Sequence, residues 1–505
     1  MSGAESPITK AQEESPTFLG RLRPGRWLAP AVVWCMTVTM LALFRWPVRR
    51  MFAGVEIAYN EGWNAYKQNM VVHGIPLYGT PRAQLTGSTG YPPLSFHLVG
   101  WFGHAGNLTA AGRWVSFVSL IVAGIFVALI VRRESGSRWA ALFSFLLYEL
   151  GIAVLLPSRI GMNDPQLLGE ALSACGLYFY LRSSESSRLV YVSAFAFCLA
   201  VFTKQNLLAF PLAVTLDLLL RSRKEFAKWI GALLLFGGFM LALTLLIDGR
   251  YFFVDLTAPR AYSVRGGWTQ LHLYLSMFQG PLVIAGVWAI LVLRSRTALA
   301  AAFFFSHFLG FFFAGGDGVI SNIFFNALMA TVMLCGIACA DRTSAAAVAR
   351  PSLLGPKAGP LLMLAVFGCI LLIVPGQLLH DGKDARGLRQ SDEEFRSSVQ
   401  LVKSRPGPAM CETLLLCYEA AKPFEYDAFF VHDQIQIGRL QEEKVAQLLS
   451  AHYFQTIQVN VPGEQLDWPT ESVAPERFTS DFMRELRESY VAAMRTSQYI
   501  VFVPK

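Results

Sequence analysis

Acids and bases gather at a few points of a chain that is otherwise mostly apolar. "PSRIGMNDPQ" sets Arg159 and Asp164 five residues apart, and "FTKQN" puts Lys204 in a tight turn. "GVEIAYNEGWNAYKQNMVVHGIPLYG", Gly54 to Gly79, carries Glu56, Glu61 and Lys67 among aromatic residues. Glu149 and Glu170 stand inside apolar runs. A positioned carboxylate can move a proton and a positioned cation can hold an anion. An ionised side chain within a bilayer is costly and as a rule faces a polar cavity. Each acid by itself reads equally well as a hydrogen-bonded interior group. Together, these residues could line one outward-facing pocket.

The elements that must position them are membrane helices. The 505 residues are 54% hydrophobic and 15% charged, with a mean hydropathy of +0.42, where soluble domains carry about 25% charged residues. Apolar runs predict an α-helical polytopic membrane protein with about eleven spans. The first is Trp27 to Phe44. The others run from Arg113 to Val131, Trp139 to Leu156, Pro165 to Leu181, Leu189 to Phe202, Asn206 to Leu220, Trp229 to Ile247, Leu271 to Leu293, Thr297 to Ala314, Val319 to Ala340 and Pro360 to Val374. At 1.5 Å per residue, Glu149 and Glu170 lie roughly 10 Å below the outer ends of consecutive antiparallel helices.

The net charge of +8 does not point to nucleic acid. The basic residues cluster in short loops, among them Arg132, Arg133 and Arg138, then Arg221, Arg223, Lys224 and Lys228, then Arg342, Arg350 and Lys357. These loops share one side, which the positive-inside rule makes cytoplasmic. Residues 1–26 form a cytoplasmic tail without the shape of a signal peptide. Residues 27–379 form the membrane domain, with a first outer loop at 45–112. Both the first loop and the chain after Pro375 face outward. The expected location is a bacterial inner membrane.

Residues 380–505 read as a small extracytoplasmic α/β domain. "TIQVNVP" and "YIVFVP" have strand character, and "SDEEFRSSVQLVKS" and "SDFMRELRESYVAAM" read as amphipathic helices, the latter with Ser480 as N-cap. Cys411 and Cys417 lie here, where a disulfide and two buried thiols are equally open readings. The other six cysteines sit in apolar spans and read as packing residues.

In the first outer loop, Tyr59, Trp63, Tyr66, Met70 and His73 share one helical face, and Asn60, Glu61, Asn64, Lys67 and Gln68 fall away from it. This predicts a helix lying flat in the interface. "YPPLSFHLVGWFG", Tyr91 to Gly103, is too short to span and predicts a second.

The set "YNEGWNAY", "GIPLY", "YPPLSF", "MNDPQ" and "TKQN" resembles the GT-C glycosyltransferases, relatives of the protein O-mannosyltransferases and lipid A aminoarabinose transferases. The resemblance covers nearly the whole chain in architecture. It implies a membrane enzyme that moves a sugar from a polyprenyl-phosphate donor to a glycan, lipid or protein acceptor at the outer face, with inversion. Glu61 would be the general base and Asp164 a second carboxylate, with Glu56 as a rival base. Lys204, helped by Arg159, would hold the donor phosphate, and Asn60, Tyr91, Glu149 and Glu170 would line the site. The family usually pairs two acids where this chain has Asn60 and Glu61. One carboxylate weakens the case for a metal, so no cofactor is expected, and a divalent ion stays open. The competing readings are a lipid-linked glycan transporter or flippase and a surface polysaccharide ligase or polymerase. A transporter should show internal repeats, and none is visible.

Overall fold

The computed structural model of the chain describes residues 25–79, 85–87, 89–104, 106–340, 358–461 and 477–505. The expected cytoplasmic tail lies almost wholly outside the described residues, as does the basic loop holding Arg342, Arg350 and Lys357.

The membrane part begins with α1 (Gly25–Arg50). The first outer loop then carries two short helices, α2 (Asn60–Val72) and α3 (Leu94–Gly103), where the sequence places its two interfacial helices. Nine helices follow as α4 (Leu108–Ser135), α5 (Arg138–Leu155), α6 (Gln166–Leu181), α7 (Leu189–Thr203), α8 (Ala209–Arg221), α9 (Arg223–Ile247), α10 (Phe252–Leu256), α11 (Val264–Val292) and α12 (Thr297–Ala314). The last three of this part are α13 (Phe325–Ala340), α14 (Ala358–Leu371) and α15 (Val374–Ser404). Side-chain caps start several of them. Asn107, Ser137 and Ser222 accept the backbone N–H of Ala110, Ala140 and Glu225, satisfying donors that a helix start leaves open.

A helix stands at each of the eleven positions expected to span. Among the described residues eight helical segments are long and apolar enough to cross a membrane, counting α13 from Ser321 and α14 together with α15. The other three, α6, α7 and α8, have only 16, 15 and 13 residues. At 1.5 Å per residue they are about 20–24 Å long, against a hydrocarbon core of about 30 Å. Asp164 precedes α6, and Lys204 lies between α7 and α8. In α11 the backbone leaves helical geometry at Phe278, next to Pro281. That proline cannot donate to the carbonyl four residues back, which is sufficient cause for a kink.

Helix α15 runs through residue 380 without a break, so the boundary expected there falls inside one element. Beyond it, β1 (Ala409–Cys411), β2 (Thr456–Asn460), β3 (Tyr490–Arg495) and β4 (Tyr499–Pro504) form a sheet in the order β1-β2-β4-β3. β1 and β2 are parallel, and the other pairs are antiparallel. Helices α16 (Leu414–Glu419), α17 (Ala428–Gln436), α18 (Glu442–Ser450) and α19 (Ser480–Ser489) pack around it. Two details correct the sequence reading. The helix expected to continue to Met494 ends at Ser489, because Tyr490 pairs with Pro504 as a strand; tertiary pairing overrides local helical periodicity. Its N-cap is Thr479, whose side chain accepts the Phe482 N–H, and not Ser480. Cys411 and Cys417 form a disulfide with Cα atoms 5.8 Å apart.

The sheet domain is joined to the first loop by shared apolar packing. Val55 and Ala65 are buried in one cluster with Phe395, Cys411, Leu415, Leu416 and Val501. Gly62 allows the closest approach, since a Cβ there would lie 2.1 Å from the Leu415 nitrogen.

Candidate active site

Asp164 lies in the turn just before α6 and is buried. Arg159 Nη1 donates to its Oδ2 at 2.8 Å. The Gln166 N–H donates to its Oδ1 at 2.9 Å, and Asn60 Nδ2 reaches Oδ2 at 3.3 Å. Burial pushes this carboxyl up, but Arg159, Lys204, the Gln166 N–H and Asn60 outweigh it and hold it below its usual range. Asp164 is therefore a buried, ionised carboxylate.

Lys204 is close by. Its Nζ donates to Gln166 Oε1 at 2.6 Å and stands over the Tyr91 ring at 5.2 Å. Lys204 and Asp164 form no ion pair with each other; Gln166 links them, its side-chain oxygen accepting from Lys204 and its backbone N–H donating to Asp164. Gln166 Nε2 in turn donates to Glu170 Oε1 at 2.6 Å, and Asn326 donates to the other Glu170 oxygen. A crevice lined by Asn206, Leu207, Ser306, Leu309, Phe313 and Asn326 adjoins this network between α8 and α12. Asn60, Tyr91, Arg159, Asp164, Glu170 and Lys204 thus belong to one connected polar site.

Two expected members are placed otherwise. Glu149 faces α4, where a Cβ on Gly124 would lie 2.4 Å from Oε1. Neither of its oxygens has a hydrogen-bond partner among the described residues, and it does not join the network. Glu61 was expected on a polar helix face turned to the cavity. It is 0% exposed and forms a two-pronged pair with Arg113, Nε to Oε1 at 2.8 Å and Nη2 to Oε2 at 2.6 Å. The Asn163 and Ile57 N–H groups take up the same two oxygens at 3.0 and 2.7 Å. Four donors occupy a carboxylate that has about four lone-pair sites.

The polar face of α2 is turned inward for the same reason. Asn64 Nδ2 donates to the Asn163 carbonyl at 2.7 Å, and the Gln68 and Asn163 amides exchange bonds at 2.7 and 2.9 Å. Gly112 makes room, as a Cβ there would lie 1.9 Å from Asn163 Oδ1. Arg113 also donates to the carbonyls of Met51, Ala53 and Val55. The sequence reading missed Arg113, Asn163, Gln166 and Asn326. An arginine at the outer end of an apolar span was the one available signal.

Glu56 takes a different position. Its Oε1 accepts the N–H groups of both Gly62 and Leu415, at 3.1 and 3.2 Å, and so links the first loop to the sheet domain. Burial first, and then Glu61, push this carboxyl well above the usual range.

This architecture, short helices around a polar site with a sheet domain packed on the first loop, is similar to that of solved membrane proteins. Over residues 92–247 the chain matches the family described as dolichyl-phosphate-mannose-protein mannosyltransferase. That stretch holds Arg113, Asp164 and Lys204 and leaves out Glu56 and Glu61. ArnT from Cupriavidus metallidurans in the apo state is similar at 14% identity and a TM-score of 0.59, covering 94% of this chain and 98% of that one. The same protein bound to undecaprenyl phosphate gives 15% identity and a TM-score of 0.60, covering 93% and 97%. An oligosaccharyltransferase from Archaeoglobus fulgidus, tethered to an acceptor peptide, gives 13% identity and a TM-score of 0.50, covering 92% of this chain and 72% of that one. No curated protein matches the chain. The chain has an ArnT-like fold over nearly its whole length.

Proposed function

We propose that this protein transfers a sugar from a polyprenyl-phosphate donor to an acceptor hydroxyl at the extracytoplasmic face of the membrane. The observation that carries the reading is the buried, ionised Asp164 beside Lys204 and Arg159. In the step, the acceptor oxygen attacks the anomeric carbon and gives its proton to Asp164. The bond from that carbon to the phosphate oxygen breaks, and the phosphate leaves with the electron pair. Lys204 lies where it can receive that charge once its Gln166 contact is exchanged for phosphate oxygens. Attack opposite the leaving group inverts the anomeric centre.

Asp164 takes the role of base rather than Glu61. The carboxylate of Glu61 is already filled by four donors, whereas Asp164 accepts from three, of which Asn60 at 3.3 Å is the longest contact. Glu61 and Arg113 then pin the first loop. No cofactor is assigned to the step, and among the described residues no three His, Cys, Asp or Glu side chains are grouped to hold a metal.

The ArnT structure with undecaprenyl phosphate supports the donor class. The basic loops support a cytoplasmic N-terminus and an extracytoplasmic sheet domain. The test is transfer from undecaprenyl-phosphate-linked sugars by the purified protein in membrane-mimetic discs, with the anomeric configuration of the product read by NMR. Transfer with inversion is the expected result. A protein that moves the intact lipid-linked donor across a vesicle membrane without cleaving it would overturn the reading in favour of a flippase.

A further inference from the structure

Lys67 is the most enclosed cation of the first loop that the proposed reaction leaves unused. It is 5% exposed. Its ammonium stands over the Trp63 ring at 5.5 Å and over the Phe424 ring of the sheet domain at 5.5 Å. Among the described residues it has neither a hydrogen-bond acceptor nor an ion pair. Asp255 and Asp427 act on it only from a distance, and both are engaged elsewhere. Asp255 accepts the Thr89 N–H at 3.2 Å. Asp427 caps α17 through the Phe430 N–H at 3.0 Å and accepts the Tyr59 hydroxyl.

Ring faces offset only part of what an ammonium loses on leaving water. Burial accordingly lowers Lys67 to about 8, against the opposing pull of Asp255 and Asp427. A cation so placed lacks an anion.

Its position says which anion. Trp63 meets Tyr91 edge to face at 5.4 Å, and Tyr91 carries Lys204 on its ring at 5.2 Å. Two cations, Lys204 and Lys67, are therefore separated by two aromatic rings. One lies among the short membrane helices. The other lies between the first loop and the sheet domain. A lysine suits an oxyanion as a point charge.

We infer that Lys67 is the anion subsite for the acceptor, taking a phosphate or carboxylate group of an acidic acceptor between the first loop and Phe424 of the sheet domain. The inference rests on the transferase reading. The sheet domain then completes the acceptor site by supplying Phe424.

The test uses the full chain in detergent and inorganic phosphate as probe, followed by 31P line broadening. Lys204→Met leaves Lys67 as the remaining oxyanion site. Phosphate should broaden with this variant, at least tenfold less with Lys204→Met/Lys67→Met, and again with Lys204→Met/Lys67→Arg. Equal broadening in all three variants, or none in any, overturns the inference. Loss in both double variants overturns it too, since charge would then not be the reason. Undecaprenyl phosphate is next added to Lys204→Met. An unchanged phosphate signal supports an acceptor subsite; displacement would give the site to the donor and overturn the assignment. Failure of the transferase reading shows separately, as absence of sugar transfer by the wild-type protein.

Discussion

Arg113 grips Glu61 through two parallel hydrogen bonds of 2.8 and 2.6 Å, both partners being buried. The pair ties the start of α2 to the outer end of α4, and Arg113 extends it to three carbonyls of the preceding turn. Removing one partner of a buried pair leaves an uncompensated charge, at a cost of about 3–5 kcal/mol. Arg113→Met should therefore lower the melting temperature and expose residues 51–62 to proteolysis, while Glu61→Gln/Arg113→Met should recover part of the loss. A double variant no better than Arg113→Met would show that the two residues do not act as a unit.

Asp164→Asn keeps shape and removes the proton acceptor. Turnover should fall by about 10² or more with undecaprenyl phosphate binding nearly unchanged. Glu56→Gln should change turnover far less. A normal rate for Asp164→Asn in a folded protein would remove Asp164 from the chemistry.

Lys204→Met keeps length and removes charge. Affinity for undecaprenyl phosphate, measured by titration in detergent, should fall at least tenfold, about 1.4 kcal/mol. Equal affinity would move the phosphate site away from α7 and α8.

Glu56 gives a pH signature. Its folded-state pKa is raised above the ordinary 4.5 by burial and by Glu61. Its contribution to stability is thus fully present below the unfolded value and is lost as pH rises through the folded one. Glu56→Gln cannot ionise and keeps the oxygen that accepts from Gly62 and Leu415. It should melt at the wild-type temperature at pH 4 and above it at pH 8. The reverse order would show that ionised Glu56 is favoured in the fold.

The Cys411–Cys417 bond closes the short loop that carries Leu415 onto Glu56 and Gly62. Peptide mapping without reduction should recover the two cysteines linked. A loop this short contributes about 2–3 kcal/mol by the chain-entropy model, so Cys411→Ala/Cys417→Ala should melt several degrees lower. Two free thiols in the native protein would refute the linkage.

Much of this was legible in the sequence because it is local. Apolar run length predicts the spans, since a helix must bury its backbone within about 30 Å of hydrocarbon. Short β-rich runs placed β2 and β4. The stretches "PSRIGMNDPQ" and "TKQN" named Arg159, Asp164 and Lys204 because charges at the ends of apolar helices have few other uses. Tertiary structure alone decided what each acid does. The spacing that put Glu61 on a polar helix face could not say that this face turns inward onto Arg113, 52 residues away. Nor could it say that Glu149, as deep in its helix as Glu170, would meet Gly124 instead of an amide. Whether a carboxylate stays ionised and open to a proton depends on donors brought from distant segments, and only the packed chain sets those distances.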